Sequence, residues 1–334
     1  GNFSHLFSNV FRIVKDEQEN PATFQLADIT SEAASNAQNE LLVLGTTSSV
    51  NFPTTAGAID NSFNGGVPEA NVIPYFNGSD IFLAKISANG GQLVASTYLG
   101  GAANDGLNSQ VSPLVANYGD ELRGDLITDE LDNIYISTVT SSPDFPVANS
   151  FGLTYKGGIT DALILNISAD LSNIIWGSFL GGNAADASHT IKTDATGNLL
   201  VAGGTASVDF PTTAGVHQPA HAGFVDGWMT KISSDGSAIL ISTFTGTPAF
   251  NQVYFIDLDL NENVYVYGQT TGSFPVTPGV YANANSGQFL QKFDKDLANV
   301  LFSTVFGAGR GIPDISPTAF LVNDCNNIYM SGWG

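Results

Sequence analysis

The sequence predicts an all-β fold built from repeated, four-stranded antiparallel units. One observation is a recurring Phe-Pro pair: Phe145, Phe210 and Phe274 are spaced 65 and 64 residues apart, and a first copy at Phe52 lies 93 residues before Phe145. The other is a set of short apolar runs, rich in Val, Ile, Phe and Tyr, that recur in register around each pair and are bounded by Gly, Asn, Asp or Pro. Such runs are typical of strands and not of helices.

Each unit of about 65 residues contains four predicted strands, which we name A, B, C and D in chain order. In the third unit the predicted strands are Thr190–Asp194, Leu199–Gly203, Trp228–Ser233 and Ile239–Thr245. An Asp-x-x-x-Asn turn joins A to B, because Asp and Asn tolerate left-handed backbone and cap their own turn. The Phe-Pro loop joins B to C. The residues expected to cap the A–B turns are Asp129, Asp194, Asp259 and Asp324.

Four-stranded antiparallel sheets repeated head to tail, without helices, are typical of β-propeller blades. Stacked sheets bury both faces of their inner strands, which explains apolar runs that do not alternate with polar residues. A β-solenoid is the alternative, but its coils are much shorter than 65 residues. The sequence therefore predicts one propeller region with four full blades and two partial ones. The full blades are about 22–102, 122–182, 188–247 and 253–309, and the partial blades are 1–21 and 317–334.

Residues 194–215 resemble the bacterial SBBP β-propeller repeat. The matching positions are Asp194, Gly197, Asn198, Gly203, Thr205, Ser207, residues 209–213 and Gly215. The resemblance covers nearly the whole chain, and the last segment, 315–334, resembles members from Bacteroidetes. It implies a large protein that is secreted or held at the bacterial cell surface and is associated with gliding motility and type IX secretion. Because the final repeat stops after strand B, we also expect this region to be part of a longer chain.

Composition limits the function classes. The net charge is −21, from 31 acidic and 10 basic residues, which argues against binding to nucleic acid or to an anionic membrane. No apolar run is long enough to span a membrane, so we expect no direct membrane insertion. The single cysteine, Cys325, excludes an internal disulfide.

Catalytic motifs are not found in the sequence, so we predict that the protein is not an enzyme. There is no nucleophile elbow and no dinucleotide-binding fingerprint. The nearest approach to a reactive cluster is Asp120, Glu121 and Arg123, followed by Asp125, in an insertion of the first unit. Carboxylates at the axis of a propeller would suit a carbohydrate-active hydrolase or lyase, and this is the alternative function.

Ligand candidates are few. Asp120, Glu121, Arg123 and Trp333 are the residues we consider for a ligand, and the insertions 60–79 and 104–121 are the expected recognition loops. No cofactor is expected. Calcium is the one metal left open, since Asp257, Asp259 and Asn261 have the spacing of an oxygen-ligand loop, although Glu262 stands where such loops need Gly.

Two further sets of residues favour structural roles. His217 and His221 are four apart, but Pro219 between them indicates a loop and not a zinc-binding helix. The acids Asp80, Asp161 and Asp226 recur at the start of strand C, and we expect them to bond backbone groups at the blade rim.

The preferred function is a non-enzymatic interaction module of a secreted or cell-surface bacterial protein. It would present its loops to a protein or glycan in adhesion, gliding motility or surface assembly. Its other partners would be the remaining blades and domains of the same chain. A purely structural spacer without a ligand is the third hypothesis.

Overall fold

A computed structural model describes residues 28–70, 74–117 and 119–334 of the chain. Within these ranges the protein consists of twenty β-strands and contains no α-helix. The predicted partial unit at residues 1–21 lies outside the described residues. The predicted all-β class is confirmed.

Sixteen strands form four separate four-stranded antiparallel sheets, each with the strand order A-B-C-D. Sheet 1 contains β1 (Asp28–Ser35), β2 (Leu41–Thr47), a hairpin of β3 (Glu69–Ala70) and β4 (Pro74–Tyr75) in its B–C loop, β5 (Asp80–Ile86) and β6 (Leu93–Leu99). Sheet 2 contains β7 (Asp125–Thr128), β8 (Ile134–Thr140), β9 (Asp161–Ile167) and β10 (Ile174–Leu180).

The later sheets repeat this order. Sheet 3 contains β11 (Asp186–Thr193), β12 (Leu199–Thr205), β13 (Asp226–Ile232) and β14 (Ile239–Thr245). Sheet 4 contains β15 (Asn251–Leu258), β16 (Val264–Thr270), β17 (Gln288–Phe293) and β18 (Val300–Phe306). Sheet 5 has only strands A and B, which are β19 (Ser316–Val322) and β20 (Ile328–Trp333).

Successive sheets pack against one another through their first strands. Strand β1 contacts β7, β7 contacts β11, β11 contacts β15, and β15 contacts β19. The apolar clusters accordingly bridge neighbouring sheets, and one cluster joins residues of sheets 1 and 2 while another joins sheets 2 and 3. The arrangement of these sheets as a propeller stays a prediction.

The Phe-Pro loop closes one face of its own sheet. Its phenylalanine is buried in every unit, at Phe52, Phe145, Phe210 and Phe274. In three units the ring packs on an aromatic ring of strand C. The ring pairs are Phe52–Phe82 (4.5 Å between centroids), Phe210–Trp228 (4.9 Å) and Phe274–Phe289 (4.1 Å). Aromatic pairs at these distances add to the stabilisation from apolar burial, so the recurring motif is a core element.

The A–B turn is held by one side chain at its first position. Asp194 accepts hydrogen bonds from the backbone amides of Thr196 (2.9 Å) and Asn198 (3.0 Å), and its other oxygen lies 3.2 Å from Lys231 Nζ of strand C. Asp129 and Asp259 accept the equivalent amides of their own turns.

In sheet 5 the corresponding turn differs from the sequence-based expectation. Asn323 accepts the amides of Cys325 (3.0 Å) and Asn327 (2.9 Å), so the cap lies one residue before the predicted Asp324. The carboxamide oxygen of Asn323 offers the same acceptor as an aspartate at this position, and a search for acids alone therefore selects the wrong residue.

Strand A carries a β-bulge opposite a glycine of strand B. In sheet 3 the register shifts between Ser188 and Thr190, opposite Gly203, which leaves His189 as the extra residue. In sheet 4 the same shift makes Tyr254 the extra residue. A Cβ on Gly203 would overlap the carbonyl oxygen of Ala187, so the bulge requires glycine at this position. A bulge changes the direction in which a side chain points. The side chains affected here, His189 and Tyr254, belong to strands A, which contact the neighbouring sheets.

The bulge glycine gives a first prediction. Gly203→Ala forces a methyl group against backbone and should destabilise the protein by about 1 to 3 kcal/mol, as overpacked sites do. Gly91→Ala is the matched control, because its added Cβ meets only the side chain of Asn89, at 3.2 Å. Urea unfolding measures both variants, and equal midpoints for the two would contradict the steric account.

Candidate functional site

The linker between sheets 1 and 2 contains an inserted segment that reaches across the other sheets. We call residues 106–117 and 119–124 the inserted segment; the corresponding linker between sheets 2 and 3 spans only 181–185. Leu114 is fully buried in a cluster with residues of sheet 2, of strand A and the B–C loop of sheet 3, and of the linkers that precede sheets 3 and 4. The cluster comprises Leu114, Val139, Ala185, Ala187, Val225 and Phe250.

A buried ion pair lies at the end of the inserted segment. Asp120 Oδ1 is 2.8 Å from Arg123 Nε, and Asp120 is inaccessible to solvent. Asp120 Oδ2 accepts hydrogen bonds from the Tyr254 hydroxyl (3.1 Å) and from the backbone amide of Asn117 (2.7 Å). Both oxygens are thus engaged and the carboxylate is buried, so it is not presented to a ligand.

Arg123 connects the inserted segment with sheets 4 and 5. Its guanidinium carbon lies 4.2 Å from the centre of the Tyr254 ring, a cation–π distance. The same guanidinium donates to the carbonyl oxygen of Pro317 at 3.2 Å. Because Pro317 belongs to sheet 5 and Tyr254 to sheet 4, one side chain fixes the segment to both sheets.

His189 lies beside this ion pair. Its ring is stacked on that of Tyr254, with 5.4 Å between centroids and 25° between planes. Neither ring nitrogen has a hydrogen-bond partner, and the backbone of Val253 is near without reaching hydrogen-bond geometry. Burial, and next the charge of Arg123, lower the pKa of His189 to about 3. The imidazole is therefore neutral at physiological pH.

Tyr254 is equally unsuited to proton transfer near neutrality. Burial and the Asp120 carboxylate raise the pKa of its phenol well above the usual value. A general acid or base works best when its pKa lies near the operating pH. The cluster of Asp120, Arg123, His189 and Tyr254 therefore has the properties of an internal polar anchor.

The ligand candidates occupy two different environments. Asp120, Glu121 and Arg123 are brought together, but all three are buried or nearly so, and Glu121 accepts a hydrogen bond from Gln110 Nε2 at 2.6 Å. The expectation that this part of the insertion forms an exposed recognition loop is thus corrected, because Leu114 is buried against residues of sheets 2 and 3 and holds the segment there. Trp333, in contrast, is 68% exposed at the end of β20.

The calcium candidates do not converge. Asp257 Oδ2 accepts the backbone amide of Val322 in sheet 5 at 2.7 Å, whereas Asp259 caps its turn and lies 2.7 Å from Lys292 Nζ. The lysine and the turn amides lower the pKa of Asp259 to about 2. Within the described residues no three His, Cys, Asp or Glu side chains form a group that could hold a metal ion.

The two histidines considered for zinc pack separately on aromatic rings. His217 lies 5.4 Å from the ring centre of Phe293, and His221 lies 5.4 Å from that of Phe244. Trp176 and Trp228 are buried in the core, and Cys325 is exposed.

The strand order places all long loops at one end of the sheets. Chain direction alternates within an antiparallel sheet, so the B–C loops and the linkers between sheets share one end, which we call the loop face. The A–B and C–D turns share the other end, the turn face. The loop face consists of the described residues in 48–79, 100–124, 141–160, 181–185, 206–225, 246–250, 271–287 and 307–315.

The loop face carries more exposed apolar side chains than the turn face. Half of the exposed large hydrophobic residues in the described ranges lie there: Val50, Val67, Phe76, Val111, Leu153, Val208, Phe224, Val276, Tyr281 and Ile312. The turn face has Leu131 and Leu260. Scattered apolar residues are normal on a surface, but the loop face also carries three exposed aromatic side chains, Phe76, Phe224 and Tyr281. Sequence reasoning named only the insertions 60–79 and 104–121 of this face, because the rest of it appears only when the loops are assigned to an end of each sheet.

Comparison with models of protein families and with curated proteins finds no match to this chain. In the described part of the chain, there is also no helix with the length and apolar character needed to cross a membrane.

The anchoring role of Arg123 gives a second prediction. Arg123→Met leaves Asp120 buried without its cation and should reduce the free energy of unfolding by about 3 to 5 kcal/mol. Arg310→Met is the matched control, since Arg310 pairs with Asp314 by a 2.5 Å contact while its side chain is 63% exposed. Guanidinium unfolding of both variants is the measurement. A comparable loss for the two would show that Arg123 is not an internal anchor.

Proposed function

We propose that the chain is a β-propeller region that works as a non-enzymatic interaction module, with the loop face as its binding surface. The contacts of successive first strands, from β1 through β7, β11 and β15 to β19, support the propeller arrangement. In a propeller the first strand of each blade lines the axis, where neighbouring blades approach most closely. The inserted segment, which meets sheets 2 to 5, then occupies the axis.

The observation that carries the functional proposal is the set of exposed aromatic side chains on the loop face. Phe76, Phe224 and Tyr281 are 75%, 59% and 75% exposed, and they come from three different sheets. Aromatic residues are enriched where proteins bind proteins, and they also stack on sugar rings. A protein or a glycan is therefore the proposed partner.

The buried cluster of Asp120, Arg123, His189 and Tyr254 supports a non-enzymatic role. Asp120 has both oxygens engaged, and the pKa values of His189 and Tyr254 are moved away from neutrality in opposite directions. A glycoside hydrolase needs two carboxyl groups that face a sugar across an open cleft. Here the only carboxyl groups of the inserted segment, Asp120 and Glu121, are buried and bound to neighbouring side chains.

The biological setting is proposed from the repeat. The resemblance of residues 194–215 to the SBBP repeat supports a secreted or cell-surface bacterial protein. Adhesion, gliding motility and surface assembly are the roles that this setting suggests.

A binding experiment tests the module. The triple variant Phe76→Ser, Phe224→Ser, Tyr281→Ser should bind arrayed glycans or purified outer-envelope proteins at least about tenfold more weakly than the parent, because aromatic residues dominate such interfaces. Its melting temperature should be unchanged, since these side chains are exposed. Leu131→Ser with Leu260→Ser, on the turn face, is the matched control.

Two outcomes would count against the proposal. Equal weakening by the control would remove the loop face from the explanation. No binding by the parent to any glycan or envelope protein would favour the structural spacer.

A further inference from the structure

Two sheet junctions each contain a pair of buried carboxyl groups. At the junction of sheets 2 and 3, Asp161 begins strand C of sheet 2 and Asp186 begins strand A of sheet 3. At the junction of sheets 1 and 2 the pair is Asp80 and Asp105. The backbone of Asp105 pairs with that of Thr140 in sheet 2, as the backbone of Asp186 pairs with that of Thr205 in sheet 3. All four acids are inaccessible to solvent.

The carboxyl groups of a pair meet over one glycine. The position that a Cβ of Gly181 would take lies 2.8 Å from Asp161 Oδ1 and 2.7 Å from Asp186 Oδ2. At the other junction, the Cβ position of Gly100 lies 2.6 Å from Asp80 Oδ1 and 3.1 Å from Asp105 Oδ2. The glycines let two acids approach each other in a space from which water is excluded.

The hydrogen bonds distinguish the two acids at the junction of sheets 2 and 3. Asp186 Oδ2 accepts the amide of Gly182 and the hydroxyl of Ser207, both at 2.8 Å, and Oδ1 accepts the hydroxyl of Thr205. Three donors directed at this carboxyl group favour its ionised form. Asp161 accepts only the amide of Lys156, at 2.7 Å through Oδ2, and its buried Oδ1 has no partner. An uncharged carboxyl group is the form that suits Asp161.

Among the described residues, no cationic side chain forms an ion pair with Asp161 or Asp186. The groups that act on Asp161 are Asp186 and Asp209, which disfavour its charge, and the Lys156 ammonium, which favours it without forming an ion pair. The charge of Asp209 also acts on Asp186. The phenol of Tyr155 is affected by the charges of Asp161, Asp186 and Asp105. A second negative charge at this junction would therefore be buried and unpaired, which is costly.

The later junctions lack such a pair and serve as internal comparisons. At the junction of sheets 3 and 4, Asp226 faces the neutral Asn251, whose Nδ2 lies 3.2 Å from the Cβ position of Gly246. At the junction of sheets 4 and 5, Gly287 replaces the strand-C acid, and Asp314 is paired with Arg310. Only the first two junctions thus require two acids to share one site.

We propose that the junction between sheets 2 and 3 holds one proton on its buried carboxyl pair, and that loss of this proton loosens the linker between these two sheets. Asp161 carries the proton at the second junction, beside ionised Asp186. The rigidity of the contact between sheets 2 and 3 is therefore linked to pH.

Burial raises the pKa of both acids of the pair, Asp161 and Asp186, to about 7, so the pair retains a proton near neutral pH. The hydrogen bonds assign this proton to Asp161. An acid with a raised pKa in the folded state stabilises the fold below its unfolded pKa of about 4, and this contribution is lost as pH rises through the folded value. Stability from this pair should fall between about pH 4 and pH 7.

Asp161→Asn tests the proposal, because asparagine has nearly the shape of a protonated aspartate and carries no charge. The unfolding equilibrium constant of the parent should rise by up to about tenfold per pH unit more than that of the variant between pH 5 and pH 7, the slope of one proton. Asp235→Asn is the matched control, since Asp235 is a solvent-exposed turn acid whose pKa lies at about 2. It should keep the slope of the parent.

Amide exchange adds a local measurement that a general loss of stability would not mimic. After correction for intrinsic rates, protection of the Gly182 amide should fall from pH 5 to pH 8 in the parent but stay level in Asp161→Asn. Protection of the Gly246 amide, at the junction without an acid pair, should stay level in both proteins. Parallel pH slopes for parent and Asp161→Asn, or equal changes at Gly182 and Gly246, would overturn the proposal.

Discussion

The interaction on which the structure depends is the hold of one buried carboxylate on the linker between two sheets. At the second junction, three consecutive linker amides donate to side chains of the next sheet: Gly182 to Asp186 (2.8 Å), Asn183 to Asp209 (2.9 Å) and Ala184 to Ser207 (2.8 Å). The first junction repeats the set with Asp105, Asp144 and Ser142. Backbone amides need acceptors, and the Thr-x-Ser-x-Asp segments before Phe145 and Phe210 supply them.

Two other features accompany this hold. The linker begins with glycine at Gly181 because the carboxyl groups of Asp161 and Asp186 occupy the space that a Cβ would take. The long linker between sheets 1 and 2 makes the same contact at its start, where the Gly101 amide donates to Asp105, and then continues into the inserted segment, where Leu114 is buried.

Periodic residues made the strands, turns and sheet order predictable, since the Phe-Pro pairs and the Asp-x-x-x-Asn turns repeat with the unit. Contacts between units were not predictable. Asp120 meets Tyr254, 134 positions away, only because a bulge redirects Tyr254, and a bulge leaves no mark in a pattern of apolar residues. The Asp324 prediction was wrong because an amide, Asn323, can cap a turn as well as an acid can. The burial of Asp120 and Glu121 was not predicted, because charged side chains usually lie at the protein surface.

Differential scanning calorimetry of Asp186→Ala tests the role of the junction carboxylate most directly. Without Asp186, the linker amide of Gly182 and two hydroxyl groups lose their acceptor, so sheets 1 and 2 should no longer unfold together with sheets 3 to 5. The account predicts that the transition of the parent separates into two, with the lower one well below the parental melting temperature. A single transition close to the parental temperature would contradict the claim that this carboxylate joins the sheets.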